Sequence, residues 1–390
     1  MTGVSPIRVL VVDDSLLTRR VLAAALESAP DVTVVGTAGS GAECLDLIPR
    51  LQPHVITLDV EMPRMDGLEV LHEIMARAPL PVVMVSYLTQ SGADTTVRAM
   101  LAGAVDVVAK PGGPIVRDLA GLRDELLRKV RAASRARPRV PGAGRTRLAR
   151  PSAPGAASPR PSAPGAASPH VSAPTPAPHR PQPRSEPRLT RERFSRLVVL
   201  GASTGGPQAL EVVMQGLPAD RQTAYILVQH MPAGMTTVLA ELLDARSALA
   251  VREARDHDCL EAGTALLAPG DFHLRLGPGG MVQLDQGPKV RYVRPSIDVT
   301  LLSAAELYGS QTVAAILTGI GADGADGAAA IHAAGGAVIA EDRSTCVVWG
   351  MPKAVAERGV ATAVVPLPAV AQTIVRTLQT TTAGRVRLHA

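Results

Sequence analysis

A serine that directly follows an apolar strand is the first candidate for chemistry in this sequence. In RLVVLGASTGG, residues 196–206, the strand runs into a turn of small residues that exposes the Ser203 hydroxyl at its carboxyl end. Acyl-transfer enzymes of the G-x-S-x-G type present their nucleophile in this way, and the following helix directs its amino end toward developing negative charge. A phosphate-binding turn is the alternative, but the segment lacks the P-loop lysine and the G-x-G-x-x-G spacing. We therefore predict that Ser203 is a nucleophile.

A serine nucleophile needs a base, and the base needs an acid that fixes its tautomer. His230 ends the apolar strand AYILVQH, so it emerges at the same edge of the sheet as Ser203 if the two strands are neighbours. Three other histidines of this half remain rivals: His257, His273 and His332.

The acid is expected in the glycine-rich loop LTGIGADGADG, residues 317–327, which leaves another apolar strand. Asp323 and Asp326 both fit, and the residue types do not choose between them. A helix cap explains Asp326 better, because it lies nearer the following helical segment. The order serine, histidine, aspartate also differs from that of ordinary α/β hydrolases, in which the acid precedes the histidine.

A second candidate site consists of carboxylates at strand ends near the amino terminus. Asp13 and Asp14 end one apolar run, Asp59 another, Ser86 a third and Lys110 a fourth. Carboxylates gathered in one crevice repel one another, and Mg²⁺ with oxygen ligands relieves that repulsion. Beside such an ion and the lysine, Asp59 could attack a phosphoryl donor and become an acyl phosphate. Each motif alone also fits a helix cap or a turn.

Alternating strand and helix patterns must position these groups. Five β/α units predict a parallel sheet in the first part, and a similar alternation predicts a second parallel-rich sheet in the last part. In such sheets the ligand site lies outside the carboxyl ends of the strands. Between residues 251 and 293 the pattern changes to short β-like runs with Pro-Gly and Gly-Gly turns, which predicts a small antiparallel extension or hairpin at one edge.

A proline-rich segment separates the two parts. Residues 131–190 hold 14 of the 33 prolines, and the nonapeptide PSAPGAASP occurs at 151 and again at 161. Such a segment cannot bury enough apolar surface to offset its ordering entropy. We predict a folded domain over residues 1–130, a disordered linker over 131–193 and a second domain over 194–390.

Composition excludes several classes of protein. The net charge of +5 comes from residues 131–190, which hold 11 arginines and one acidic residue, so the folded parts are mildly acidic and no nucleic-acid partner is expected. The three cysteines are widely spaced and predict buried thiols in a reducing compartment. No apolar run reaches the length of a membrane span, and no signal sequence is evident. A cytoplasmic protein without membrane insertion is predicted.

Residues 7–130 resemble the receiver domain of two-component response regulators, on the motifs VLVVDDS, ITLDVEMPRMDG and VDVVAKP. The resemblance implies Asp59 as phosphoacceptor and Ser86 and Lys110 as switch residues. It further implies that Mg²⁺ is bound by Asp13, Asp14, Asp59 and the backbone carbonyl of Glu61, and that a histidine kinase is the partner that donates the phosphate.

The second part resembles the catalytic domain of chemotaxis protein-glutamate methylesterases. GASTGGPQAL, VQHMPAGMT, LAPGDFHL, RPSIDVT, LTGIGADGADG and VVWGMPKAV occur in the expected order, after an amino-terminal receiver as in that family. The resemblance implies a Ser203, His230 and Asp323 triad, with Thr204, His273 and backbone groups around Ile320 lining the site. Relatives often have Gly-Met-Gly-Asn-Asp where this chain has Gly-Ile-Gly-Ala-Asp.

From this resemblance we expect a flavodoxin-like receiver and a Rossmann-like methylesterase domain, both doubly wound. The expected activity is phosphorylation-regulated demethylation of glutamate methyl esters, and deamidation of glutamines, on chemoreceptors, with no cofactor needed for ester hydrolysis. A non-catalytic response regulator that binds receptors is the alternative, which the intact triad disfavours. A DNA-binding regulator is disfavoured because no paired short helices follow residue 194.

Overall fold

The structure is a computed structural model that describes residues 5–87, 90–110, 119–136 and 194–386. These parts of the chain pack together as one compact unit. Most of the predicted linker, residues 137–193, lies outside the described residues. None of the helices within the described ranges is long and apolar enough to cross a lipid bilayer.

The amino-terminal domain is a five-stranded parallel sheet in the order β2-β1-β3-β4-β5, with helices between consecutive strands. Its strands are β1 (Ile7–Val12), β2 (Val32–Ala38), β3 (Val55–Asp59), β4 (Val82–Ser86) and β5 (Asp106–Ala109). Its helices are α1 (Leu16–Glu27), α2 (Gly41–Leu51), α3 (Gly67–Arg77), α4 (Gln90–Leu101) and α5 (Leu119–Ala133). This is the flavodoxin-like order, and it confirms the predicted fold class. Helix α5 runs slightly past residue 130, where the domain boundary was predicted.

The carboxy-terminal domain has a seven-stranded parallel sheet in the order β14-β13-β12-β6-β7-β9-β8. Its strands are β6 (Arg196–Ala202), β7 (Thr223–Gln229), β8 (Ala250–Glu253), β9 (Thr264–Leu267), β12 (Thr312–Ile316), β13 (Ala337–Glu341) and β14 (Ala363–Val365). Its helices are α6 (Gly206–Met214), α7 (Met235–Asp244), α8 (Ile297–Tyr308), α9 (Ala325–Ala333), α10 (Met351–Glu357) and α11 (Leu367–Val386).

The predicted small antiparallel extension or hairpin is present, although it takes up only part of residues 251–293. Strands β10 (His273–Leu276) and β11 (Val282–Asp285) form an antiparallel hairpin, as expected. Strands β8 and β9, from the same part of the sequence, instead join the main sheet in parallel, with Tyr225 opposite Ala265. Short apolar runs have the same appearance in either kind of pairing, so the sequence pattern did not separate the two.

Both sheets place a functional candidate where the strand order reverses. Strand β6 pairs with β7 on one side and with β12, which comes later in the chain, on the other. Ser203 therefore follows the strand at the switch point. In the amino-terminal sheet the corresponding point lies between β1 and β3. Asp13 directly follows β1, and Asp59 is the last residue of β3. Crevices at such points are the usual ligand sites of open α/β sheets.

Candidate functional sites

The acidic pocket of the first domain brings together groups from three strands. The Lys110 ammonium lies 2.7 Å from Asp13 Oδ2 and 2.8 Å from Asp59 Oδ2, and all three side chains are buried. Ligand oxygens of Asp13, Asp14 and Asp59 all lie within 4.8 Å of one another. This spacing and this donor set fit one small oxygen-seeking cation.

Helix capping does not account for these aspartates. Helix α1 is capped by Ser15, whose hydroxyl accepts from the Thr18 N–H, and helix α3 is capped by Asp66. Asp13 Oδ1 accepts from the Ser15 N–H at 2.9 Å, so it orients the capping residue rather than capping the helix itself. Ser86 ends β4 and donates its hydroxyl to the Tyr87 carbonyl at 3.0 Å.

Burial dominates the titration of the acidic pocket. It raises the pKa of Asp59 to about 6, assisted by the Asp13 charge and opposed by Lys110. Burial alone would lower the pKa of Lys110, but its bonds to the two aspartates outweigh that effect and the net shift is upward. The pocket therefore holds an excess of negative charge that a bound cation would relieve.

Ser203 and His230 follow two neighbouring strands of the second domain. Strands β6 and β7 are paired so that Ala202 lies opposite Gln229, and the next residue of each strand is the candidate nucleophile or base. The Gln229 amide donates to the backbone carbonyls of Ser203, at 2.9 Å, and of His230, at 3.1 Å. This buried amide ties the two turns together.

A glycine is required where helix α6 begins beside Gln229. A Cβ at Gly206 would lie 1.9 Å from Gln229 Oε1, so any larger residue would displace the amide that joins the turns. Gly319 has a similar role, since its Cβ would lie 2.7 Å from Ser203 Cβ. The glycine-rich loop thus passes directly over the serine.

Asp323 is the aspartate that reaches the histidine. Its Oδ2 lies 2.8 Å from His230 Nε2, and both side chains are nearly fully buried. Burial raises the pKa of Asp323, but the hydrogen bond and charge of His230, with donors from Ser296 and Ile297, hold it at about 2. Asp323 is therefore a fixed carboxylate at neutral pH.

Asp326 has a different environment. It lies in the first turn of α9, where it is paired with Arg291 at 2.6 Å and also with Arg358. Among the rival histidines, His257 is largely exposed beside Asp256, and His332 is exposed near the end of α9.

Ser203 and His230 line one cleft of about 420 Å³, together with residues of the first domain. The first-domain residues in its wall include Asp106, Glu125 and Lys129. The two domains also share backbone contacts at the serine turn, because the Gly205 N–H donates to the Val105 carbonyl at 3.0 Å. The first domain therefore forms part of the wall beside the candidate nucleophile.

Two family models match the chain: the response regulator receiver domain over residues 9–116 and the CheB methylesterase over residues 198–374. A protein-glutamate methylesterase/protein-glutamine glutaminase of Symbiobacterium thermophilum is 48% identical, over 95% of this chain and 97% of its own length. A Thermotoga maritima protein of the same name is 42% identical, over 92% and 95%. This chain belongs to that family.

Two solved structures are similar to parts of this chain. The Thermotoga maritima CheB methylesterase catalytic domain is 46% identical, over 47% of this chain and 98% of that one, with a TM-score of 0.45. The response regulator domain of Thermotoga maritima CheB is 47% identical, over 34% and 99%, with a TM-score of 0.32. Membership in the methylesterase family confirms the predicted family and the predicted class of enzyme.

The remaining predicted site residues of this methylesterase-family chain lie at different depths. Thr204 is buried, and its hydroxyl donates to the Asp106 carboxylate of the receiver. His273 is 2% exposed, with both ring nitrogens in hydrogen bonds. Ile320 lines a different cleft, together with Trp349.

Sequence reasoning missed Gln229 and Ser296. Gln229 is a polar residue inside an apolar strand, directly before a candidate base, and that placement was an available signal. Ser296 precedes a helical segment in RPSIDVT and has the appearance of an ordinary helix cap. Its contact with Asp323 depends on how α8 packs, which the local sequence does not specify.

Proposed function

We propose that Ser203, His230 and Asp323 form the catalytic triad with which this enzyme hydrolyses glutamate methyl esters on chemoreceptors and deamidates specific glutamines. The observation that carries the proposal is the buried 2.8 Å contact between His230 Nε2 and Asp323 Oδ2, at the same edge of the sheet as Ser203. The names and near-complete coverage of the relatives support the choice of substrate.

The two ring nitrogens of His230 have different roles, one as donor to Asp323 and the other as base. Because Asp323 is a carboxylate, Nε2 carries a proton and donates it, which leaves Nδ1 as the basic nitrogen. The base that accepts the Ser203 proton is therefore Nδ1. Asp323 then stabilises the imidazolium formed in the transition state.

The reaction follows from these roles. His230 Nδ1 takes the proton of Ser203 Oγ as that oxygen bonds to the ester carbonyl carbon. The tetrahedral intermediate collapses, the carbon–methoxy bond breaks, and His230 returns the proton so that methanol leaves. Water, deprotonated in turn by His230, hydrolyses the acyl-enzyme to the γ-carboxylate, and with a glutamine substrate ammonia leaves instead.

Backbone N–H groups of two loops would stabilise the oxyanion. The Ser203 N–H is bonded to the Thr318 carbonyl and the Gly319 N–H to the Val348 carbonyl, so neither is free to donate. Within the described ranges, the N–H groups of Thr204 and Ile320 have no such acceptor. Each donor of this kind contributes about 3–4 kcal/mol to catalysis.

The receiver is proposed to switch the activity. Asp59 would accept a phosphoryl group from a histidine kinase, with Mg²⁺ held by Asp13, Asp14, Asp59 and the Glu61 carbonyl. The ion supplies positive charge that offsets the phosphoryl oxygens. Lys110 would bind a phosphoryl oxygen as an ammonium, and Ser86 would donate its hydroxyl to another.

Contacts at the serine turn offer a route for this switch. Phosphorylation regulates catalysis if it changes how the receiver contacts the second domain. The receiver contacts the Ser203 turn through Val105 and Asp106 and supplies part of the cleft wall. We place this enzyme in the cytoplasm, with the kinase and the receptor segments it acts on.

The test measures methanol release from methylated receptor by the full chain, with Mg²⁺ and beryllofluoride as the acyl-phosphate mimic. Ser203→Ala is expected to lose roughly six orders of magnitude in turnover, as removal of a triad serine does elsewhere. Ser247→Ala, which changes a partly buried serine outside the cleft, serves as the control. Near-normal release by Ser203→Ala would rule out the scheme.

A further inference from the structure

Ser296 stands at the cap position of helix α8 without capping it. A serine at this position usually accepts a hydrogen bond from its own helix, through the N–H of the second or third residue. Here no such bond exists. The Ser296 hydroxyl, which is fully buried, instead donates to Asp323 Oδ1 at 2.7 Å.

The beginning of helix α8 is directed at the Asp323 carboxylate. The Ile297 N–H donates to Oδ2 at 2.6 Å and the Asp298 N–H donates to Oδ1 at 3.2 Å. The carboxylate from another loop thus takes the place of a capping side chain, where the positive end of the helix dipole favours an anion. With His230 on Oδ2 and Ser296 on Oδ1, both carboxylate oxygens are engaged and the plane of the group is fixed.

A buried histidine holds Ser296 in turn. The Ser296 N–H donates to His273 Nδ1 at 3.2 Å, and His273 Nε2 lies 3.1 Å from the Pro288 carbonyl. Because a carbonyl only accepts, Nε2 carries the ring proton and Nδ1 is the acceptor. Hydrogen bonds through Ser296 thus link His273 to Asp323.

We propose that Ser296 is a positioning residue of the methylesterase reaction, which orients the Asp323 carboxylate toward His230 and is itself held by His273. The inference rests on the triad proposed above. Ser296 does not contact the reacting atoms, and its effect passes through Asp323 and His230 to the nucleophile.

Two further carboxylates near Asp323 have partners of their own, although burial and the Asp323 charge both help to raise the pKa of Asp298. Asp298 accepts from the Gly327 N–H at 2.8 Å and lies 3.4 Å from Arg291, and Asp326 is paired with Arg291. His230 contacts the Asp323 carboxylate directly. Loss of the Ser296 hydroxyl removes one of the donors that fix the orientation of that carboxylate.

The experiment compares Ser296→Ala with wild type in the full chain, activated by Mg²⁺ and beryllofluoride, with methylated receptor as substrate. Loss of one hydrogen bond to a charged group predicts a fall in kcat of roughly 10-fold to 100-fold. KM is expected to stay near the wild-type value, so that the loss falls on kcat. Ser303→Ala is the matched control, because it removes another buried hydroxyl from the same helix. That hydroxyl donates to the Thr300 carbonyl and accepts from the Leu276 N–H.

A double-mutant cycle with Asp323→Asn separates positioning from general loss of structure. If Ser296 acts through Asp323, Ser296→Ala has little further effect on kcat in the Asp323→Asn background. Rates are expressed per active site, by labelling Ser203 with a phosphonate, at a temperature well below each variant's unfolding midpoint. Ser296→Cys replaces the alanine variant if that variant does not fold. A thiol has a similar volume but is only a weak donor, so kcat is again expected to fall.

The outcomes distinguish this inference from the proposed function. An active wild type with an unchanged Ser296→Ala, or with fully additive effects in the cycle, overturns the positioning role alone. An inactive wild type overturns the proposed function and the inference with it. A loss of kcat that vanishes in the Asp323→Asn background supports both.

Discussion

The two halves of this molecule each bury an aspartate at the carboxyl edge of a parallel sheet, and the two carboxylates titrate in opposite directions. Asp59 of the receiver is 2% exposed and its pKa is raised to about 6. Asp323 of the methylesterase domain is 3% exposed and its pKa is lowered to about 2. Burial pushes both values upward, so burial does not explain the difference.

The difference comes from the donors around each group. Asp59 shares one ammonium with Asp13, whose negative charge works against it, and it accepts one long backbone bond from Glu61 at 3.3 Å. Asp323 receives His230, Ser296 and two N–H groups at the start of a helix. The Asp59 carboxyl can therefore gain or lose its charge near neutral pH, whereas the Asp323 carboxylate stays ionised.

The largest expected effect is on catalysis. Asp323→Asn is expected to lower kcat by about four orders of magnitude, because the amide can favour the wrong tautomer of the base. Asp59→Asn leaves the basal rate unchanged and abolishes the response to beryllofluoride. Methanol release with and without the mimic measures both. A strongly reduced basal rate for Asp59→Asn would contradict the division of roles between the two aspartates.

The same two variants are expected to change stability in opposite directions. A folded pKa of about 6 against the ordinary 3.8 means that Asp59 stabilises the fold below pH 3.8 and loses that contribution as the pH rises through 6. Asp59→Asn then raises the free energy of unfolding at pH 7 by up to about 3 kcal/mol in Mg²⁺-free buffer, and by little near pH 4.

Asp323 contributes stability above pH 3.8 and loses it as the pH falls through 2. Asp323→Asn therefore lowers the free energy of unfolding at pH 7 by about 2 kcal/mol, and the deficit persists down to pH 4. Denaturant unfolding at several pH values measures both variants. Equal changes of the same sign in the free energy of unfolding would show that burial alone controls the pKa of both aspartates.

The receiver site was largely predictable from sequence, and the triad only in part. Asp13, Asp59 and Lys110 follow or end strands of a parallel sheet, and parallel topology brings strand ends to one edge whatever the loops do. The choice of Asp323 over Asp326 needed family resemblance, because it depends on where a helix far along the chain begins. Packing of this kind, like the contact of Ser296 with Asp323, is long-range and leaves no local pattern.

Mg²⁺ is expected to stabilise the receiver half selectively. At an ion concentration ten times its dissociation constant, binding adds about 1.4 kcal/mol to the free energy of unfolding. Asp14→Asn removes an exposed carboxylate of the pocket and is expected to abolish most of this gain, whereas Asp124→Asn, on the surface of α5, retains it. Thermal unfolding with Mg²⁺ and with chelator measures the difference. A full Mg²⁺ response in Asp14→Asn would exclude that residue from the cation site.

The smallest effect concerns one hydrogen bond between the two domains. Gln208 on α6 donates its amide to the Leu101 carbonyl of the receiver at 3.3 Å, close to the Ser203 turn. Loss of this bond weakens the resting contact by about 1 kcal/mol, so Gln208→Ala is expected to raise the basal rate roughly 5-fold. The rate with beryllofluoride should not change, because the contact is then already broken. Gln215→Ala, at the exposed end of the same helix, is the matched control, and an equal rise in both variants would mean that the bond to the receiver has no part in holding the enzyme at rest.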